Sequence, residues 1–163
     1  MKRVLFVIGL LFCIILIHAQ TVAYTYKPLA AEGCSVEYTP SWQEGKPFLI
    51  VSVHSDRMKF VENPVLLFKT NNGETIKLEG RPLETYSSSS GIVSGNMVIP
   101  IQGFITTAQF PITEEQIDQL GQGIIKVRIS LIPINHERTF KKDKIGKKLF
   151  NAFYESKINN DDF

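Results

Sequence analysis

Strict alternation of apolar and polar positions dominates the chain after its first twenty residues. Residues 34–39 (CSVEYT) alternate and predict a strand that Pro40 stops. Residues 48–54 (FLIVSVH) form the strongest apolar run of strand length, and β-branched and aromatic residues make 21–27 (TVAYTYK) a first strand or an extended arm. Residues 65–70 (VLLFKT) and 74–78 (ETIKL) flank Asn71-Asn72-Gly73, which predicts a hairpin, because Asn and Gly tolerate the positive φ of a tight turn. Two more strands are predicted over 97–101 and 103–110, with Pro100 marking an edge or a bulge. The most regular alternation covers 124–134: Lys126, Arg128 and Ser130 fall on one side, and Ile125, Val127, Ile129 and Leu131 on the other. That pattern gives one wet face and one buried face.

The period changes twice. Thr113-Glu114-Glu115-Gln116 has the form of a capping box, with acids at the positive end of the helix dipole, and predicts a short helix over 113–121 closed by Gly121 or Gly123. From about residue 142 to 158, Ile145, Leu149, Ala152 and Phe153 share one helical stripe, widened by Phe150 and Tyr154, while Lys147 and Lys148 lie off it. Two stretches lack periodicity. Residues 41–47 read as a loop whose Trp42 either lids the core edge or offers a stacking face. Residues 82–95, with Tyr86 and a run of serines, read as an exposed, mobile loop. Together these elements predict a mainly β domain: an antiparallel sandwich or partly open barrel, with a helix near 113–121 and an amphipathic C-terminal helix laid across an open end or a sheet face.

The first twenty residues carry a different message. Lys2 and Arg3 precede fourteen uncharged residues, Val4 to Ile17, and a small residue, Ala19, follows. This is the form of a secretory signal peptide, and the run falls short of the ~20 residues that cross a bilayer. Cleavage after Ala19 would leave a single domain over 20–158 and a polar tail over 159–163, periplasmic or secreted. Cys13 does not fit a lipidation site, because bulky Phe12 precedes it and apolar residues follow. The only contact with a membrane would be through the signal peptide. Cys34 alone would survive cleavage, so no internal disulfide is expected and the thiol should point inward as a small apolar group.

Composition then narrows function. Eighteen basic residues face sixteen acidic ones, and losing Lys2 and Arg3 brings the balance to neutrality. A neutral chain is a poor nucleic-acid binder. No metal, cofactor or catalytic pattern emerges. His136-Glu137 begins like the zinc helix H-E-x-x-H, but Phe140 stands where the second histidine belongs. Gly91-Ile92-Val93-Ser94-Gly95 misplaces the serine of a nucleophile elbow by one position.

Charge is nevertheless unevenly spread. Lys126, Arg128, Arg138, Lys141, Lys142, Lys144, Lys147 and Lys148 are opposed only by Glu137 and Asp143, so this segment carries +6 and the rest of the mature chain −6. Such asymmetry suits a face that docks an acidic protein or an anionic glycan; it also suits lysines that merely solvate a core edge. The expectation is an exported envelope binding or accessory module. Two alternatives remain open: a hydrolase-type enzyme whose cleft is assembled from distant residues, and an assembly subunit whose first strand pairs with a neighbour's edge.

The run Phe110-Pro111-Ile112-Thr113-Glu114-Glu115-Gln116-Ile117, then Leu120, Gly123-Ile124 and Lys126-Val127-Arg128-Ile129, resembles small uncharacterised secreted proteins of Bacteroides-type bacteria. Phe140-Lys141-Lys142-Asp143, Ile145-Gly146-Lys147 and a mature start at Gln20 fit the same resemblance. It covers the last third of the chain. It implies a periplasmic setting and assigns no activity or functional residue.

Overall fold

The structure, a computed structural model, describes residues 21–26, 34–94 and 96–161. The apolar opening, Cys13 and the expected cut after Ala19 lie outside the described residues, as does Lys27. Strands run as β1 (Val22–Tyr26), β2 (Cys34–Gln43), β3 (Lys46–Ser55), β4 (Lys59–Phe60), β5 (Val65–Thr70), β6 (Thr75–Glu79), β7 (Arg81–Ser94) and β8 (Met97–Pro111). Helix α1 (Glu114–Leu120), β9 (Ile124–Ile129), β10 (Leu131–Ile132), β11 (His136–Thr139) and helix α2 (Gly146–Asp161) complete the order. All strand pairs are antiparallel. One sheet has the order β1-β2-β3-β8-β7, a second β11-β9-β5-β6, and β10 pairs with β4.

Alternation decides which face each sheet buries. Val36, Tyr38, Leu49, Val51, Val53, Ala108 and Phe110 point inward from the first sheet, and Leu66, Phe68, Ile76, Leu78, Val127 and Ile129 from the second. The two faces meet: the Tyr38 and Phe68 rings lie 5.9 Å apart, centroid to centroid. Each such buried Val, Leu or Phe contributes roughly 1.5–3 kcal/mol by leaving water. The result is a β-sandwich without a closed barrel. Helix α2 places Leu149, Ala152 and Phe153 on this core, and Ile145, just before its first residue, joins them, as their spacing predicts. The capping box forms in both directions, Gln116 N donating to Thr113 Oγ1 and Thr113 N to Gln116 Oε1. Cys34 is fully buried and unbridged.

Local reading fails where neighbours supply the pairing. Pro40 does not stop β2; it lies in the strand opposite Leu49. Among the described residues β1 pairs with β2 only as far as Tyr38, so Pro40 sits where β2 has lost its neighbour on that side. Residues 41–47 are not a loop. β2 and β3 continue in register to Gln43 and Lys46, and only Glu44 and Gly45, both with positive φ (52° and 72°), make the turn. Residues 82–95 are likewise mostly strand: β7 pairs with β8 from Arg81 to Ser94. The expected strands over 97–101 and 103–110 are one, β8. Conversely, the alternating run 124–134 is split. β9 ends at Ile129, Ser130 N donates to Val65 O at 3.0 Å, and Leu131 and Ile132 leave to pair with β4.

The β7–β8 pair outruns its sheet. β3 pairs with β8 only from Phe104 onward, whereas β7 follows β8 back to Met97. Pro100 therefore stands opposite Gly91 in a stretch where β8 is an edge, as its presence in a strand requires.

Candidate functional site

The basic segment divides into two parts. Lys126 and Arg128 lie on β9 opposite Thr139 and Glu137 of β11. There Glu137 takes both: Lys126 Nζ approaches its carboxylate at 2.6 Å, and Arg128 at 2.6 Å through Nη2 and 2.8 Å through Nε. Lys126 and Arg128 together hold the Glu137 carboxyl below its ordinary range. These two cations are compensated.

The other acid of the segment, Asp143, is committed to backbone N–H groups and forms no ion pair with the lysines among the described residues. Its Oδ1 accepts from the backbone N–H of Ile124 (3.0 Å), Ile145 (3.2 Å) and Gly146 (2.7 Å), and its Oδ2 from Lys147 N (3.0 Å). Burial alone would raise its pKa. The four N–H donors outweigh that and hold the carboxyl below the usual carboxylate value. Arg138, Lys141, Lys142, Lys144, Lys147 and Lys148 are consequently left exposed, with no ion pair among the described residues. All six fall in the stretch from β11 through the first turn of α2. That turn holds no acid, and Lys147 and Lys148 occupy the end of a helix where the dipole favours negative charge.

The two aromatics singled out by sequence do not meet. Trp42 is half-buried in β2 and clamps α2: its indole N–H donates to Ser156 Oγ at 3.0 Å and Phe153 O at 3.3 Å. Lys157 Nζ lies 5.2 Å above the indole ring and bonds Glu114 at 2.7 Å. The cavity between Trp42, Glu114, Ile117, Phe153, Tyr154 and Lys157 holds about 20 Å³, enough for a water. Tyr86 sits in β7, 56% exposed, with its hydroxyl donating to the Glu84 carboxylate. It pairs with Ile105, at the opposite end of the sheet from Trp42.

Sequence spacing missed a buried polar cluster. His136, 4% exposed, joins its Nε2 to Tyr24 Oη at 2.8 Å, and Tyr24 Oη lies 3.1 Å from Tyr38 Oη. The Tyr24 and His136 rings stack with centroids 5.7 Å apart. The cluster bridges β1 and β2 of one sheet to β11 of the other. Burial, reinforced by the Arg138 charge, lowers the His136 pKa from 6.5 to about 4, so the ring is neutral at ordinary pH. An unfolded chain takes up that proton near pH 6.5, whereas the folded chain refuses it until about pH 4. Between these values unfolding binds a proton, so stability falls as pH falls, by about 3 kcal/mol, and levels off below the window. Urea unfolding between about pH 7 and pH 4 checks this. A His136→Phe variant should lose that part of the slope, and an unchanged slope in the variant would refute the assignment.

Among the described residues no group of three or more His, Cys, Asp and Glu gathers as a metal site, and no helix is long and apolar enough to cross a membrane. No family model, curated protein or solved structure matches the chain.

Proposed function

We propose that the chain is an exported envelope protein that works as a binding or accessory module, holding a polyanionic partner, an acidic protein or an anionic glycan, on the cations of residues 138–148. One observation carries this reading: six exposed basic side chains in eleven residues have no acid beside them. The segment's own two acids are committed elsewhere, to Lys126 and Arg128 and to backbone N–H groups. A solvated surface gains nothing from stacking like charges, and two lysines at the N-terminal end of a helix work against its dipole. The basic and apolar start of the chain supports export.

The test uses the chain from Gln20 onward, immobilised and exposed to poly-L-glutamate, to alginate and to neutral dextran. The two polyanions should bind and dextran should not, with affinity falling steeply as salt rises. Reversing Lys141, Lys142, Lys144, Lys147 and Lys148 to glutamate should weaken binding at least about tenfold without lowering thermal stability, because these side chains are exposed and acids suit the start of α2. Binding that survives the reversal would show the lysines to be solvation alone.

A further inference from the structure

The chain crosses from one sheet to the other through a single residue. Gly80 links β6 to β7, its N–H donating to Pro64 O at 2.9 Å. It passes so close to β8 that an added Cβ would stand 2.5 Å from Phe110 Cδ1 and 2.6 Å from Gln109 O. Beside this corner opens a groove of about 280 Å³ lined by Phe48, Glu79, Gly80, Arg81, Gln109 and Pro111.

Its lining is mostly apolar, and Arg81 and Gln109 bring the donors. Gln109 is 3% exposed, and its Oε1 accepts twice from Arg81, at 3.2 Å from Nε and 2.9 Å from Nη2. Those bonds fix the amide orientation and leave Nε2 as a pair of donors. Nε2 donates to no group among the described residues and is not cut off from solvent, so it is free to donate into the groove. Arg81 Nη1 is likewise unengaged among them. The guanidinium is held as a rigid fork by Gln109, so little side-chain freedom is lost when it binds an anion. Glu79, the one acid in the lining, is occupied by Lys77 at 2.6 Å. Phe48 and Pro111 provide apolar surface beside these donors.

We infer that this groove binds a small organic monocarboxylate: Arg81 and Gln109 donate to the carboxylate oxygens, and an apolar substituent rests against Phe48 and Pro111. A guanidinium and an amide NH₂ side by side offer donors to both oxygens of one planar acceptor. The site shares no residue with the basic segment at 138–148.

The test is an NMR titration of the chain from Gln20 onward with 3-phenylpropanoate, with 3-phenylpropanamide as the neutral twin. The acid should shift the Arg81 Nε–H and Gln109 NH₂ signals with a Kd of about 1 mM, and the amide should bind at least about tenfold more weakly. Arg81→Gln should weaken the acid at least about tenfold with little change in thermal stability, since Arg81 is exposed. Gln109→Glu should do the same while keeping the fold, because the new carboxylate would pair with Arg81 and replace the ligand. Reversal of the five lysines at 141–148 should leave the titration unchanged. Equal binding of acid and amide, full binding by Arg81→Gln, loss on lysine reversal, or no shift at these two side chains would each overturn the inference.

Discussion

Asp143→Ala is expected to lower stability by about 4 kcal/mol, far more than an exposed aspartate in a lysine-rich run would suggest. Its carboxylate joins two elements. It accepts from Ile124 N at the start of β9 and from Ile145, Gly146 and Lys147 at the start of α2. A single helix cap contributes about 1 kcal/mol, and hydrogen bonds to a charged group about 1.5–3 kcal/mol each, without simple addition. Alanine leaves four donors to water or to nothing, and Ile124, Ile145 and Gly146 are buried. Asn keeps one acceptor oxygen and should recover about half of the loss. Urea unfolding of the three proteins decides the matter. A loss below about 1 kcal/mol for alanine would mean that water replaces the carboxylate and that the junction is not held by it.

Gly146→Ala is expected to cost about 3 kcal/mol, opposite in sign to what a helical glycine normally gives. In a helix alanine is favoured over glycine by about 1 kcal/mol. Here a Cβ would stand 2.7 Å from Ile124 N, 2.7 Å from Leu120 O and 2.8 Å from Ile124 Cγ1. Two of these three atoms are backbone, so no rotamer change relieves the clash; α2 must move away from β9 and the end of α1. A thermal melt suffices as a check. An alanine variant as stable as the parent would show that the helix can shift without loss.

Both sites show where sequence reading stops. Asp143 is visible in the chain only as a charge against lysines, and Gly146 only as a break in an apolar stripe. Their roles come from Ile124, about twenty residues upstream. What was legible is what neighbours in sequence decide: the β5–β6 hairpin around Asn-Gly, the Thr113–Gln116 capping box, and the stripe from Ile145 to Phe153 that packs on the core. What was not legible is what distant partners decide. Residues 87–90 are four serines with no pattern of their own, yet β8 pairs with them as a strand. Trp42 sits in a strand because β3 continues opposite it. His136 is set by Tyr24, 112 positions away, and Arg81 meets Gln109 across 28. The basic segment itself was legible as a run of charges; that its two acids are taken by Lys126, Arg128 and backbone N–H groups was not.

The β7–β8 pair beyond Phe104 has a cost of its own. From there to Met97 each of its strands has one flank of main-chain groups with no strand alongside among the described residues, which is the template that promotes aggregation when chains are crowded. Pro100 takes one amide hydrogen out of β8, and the serines of β7 bring polarity to the other strand. This tip differs from the other sheet edges in that both of its strands carry an open flank.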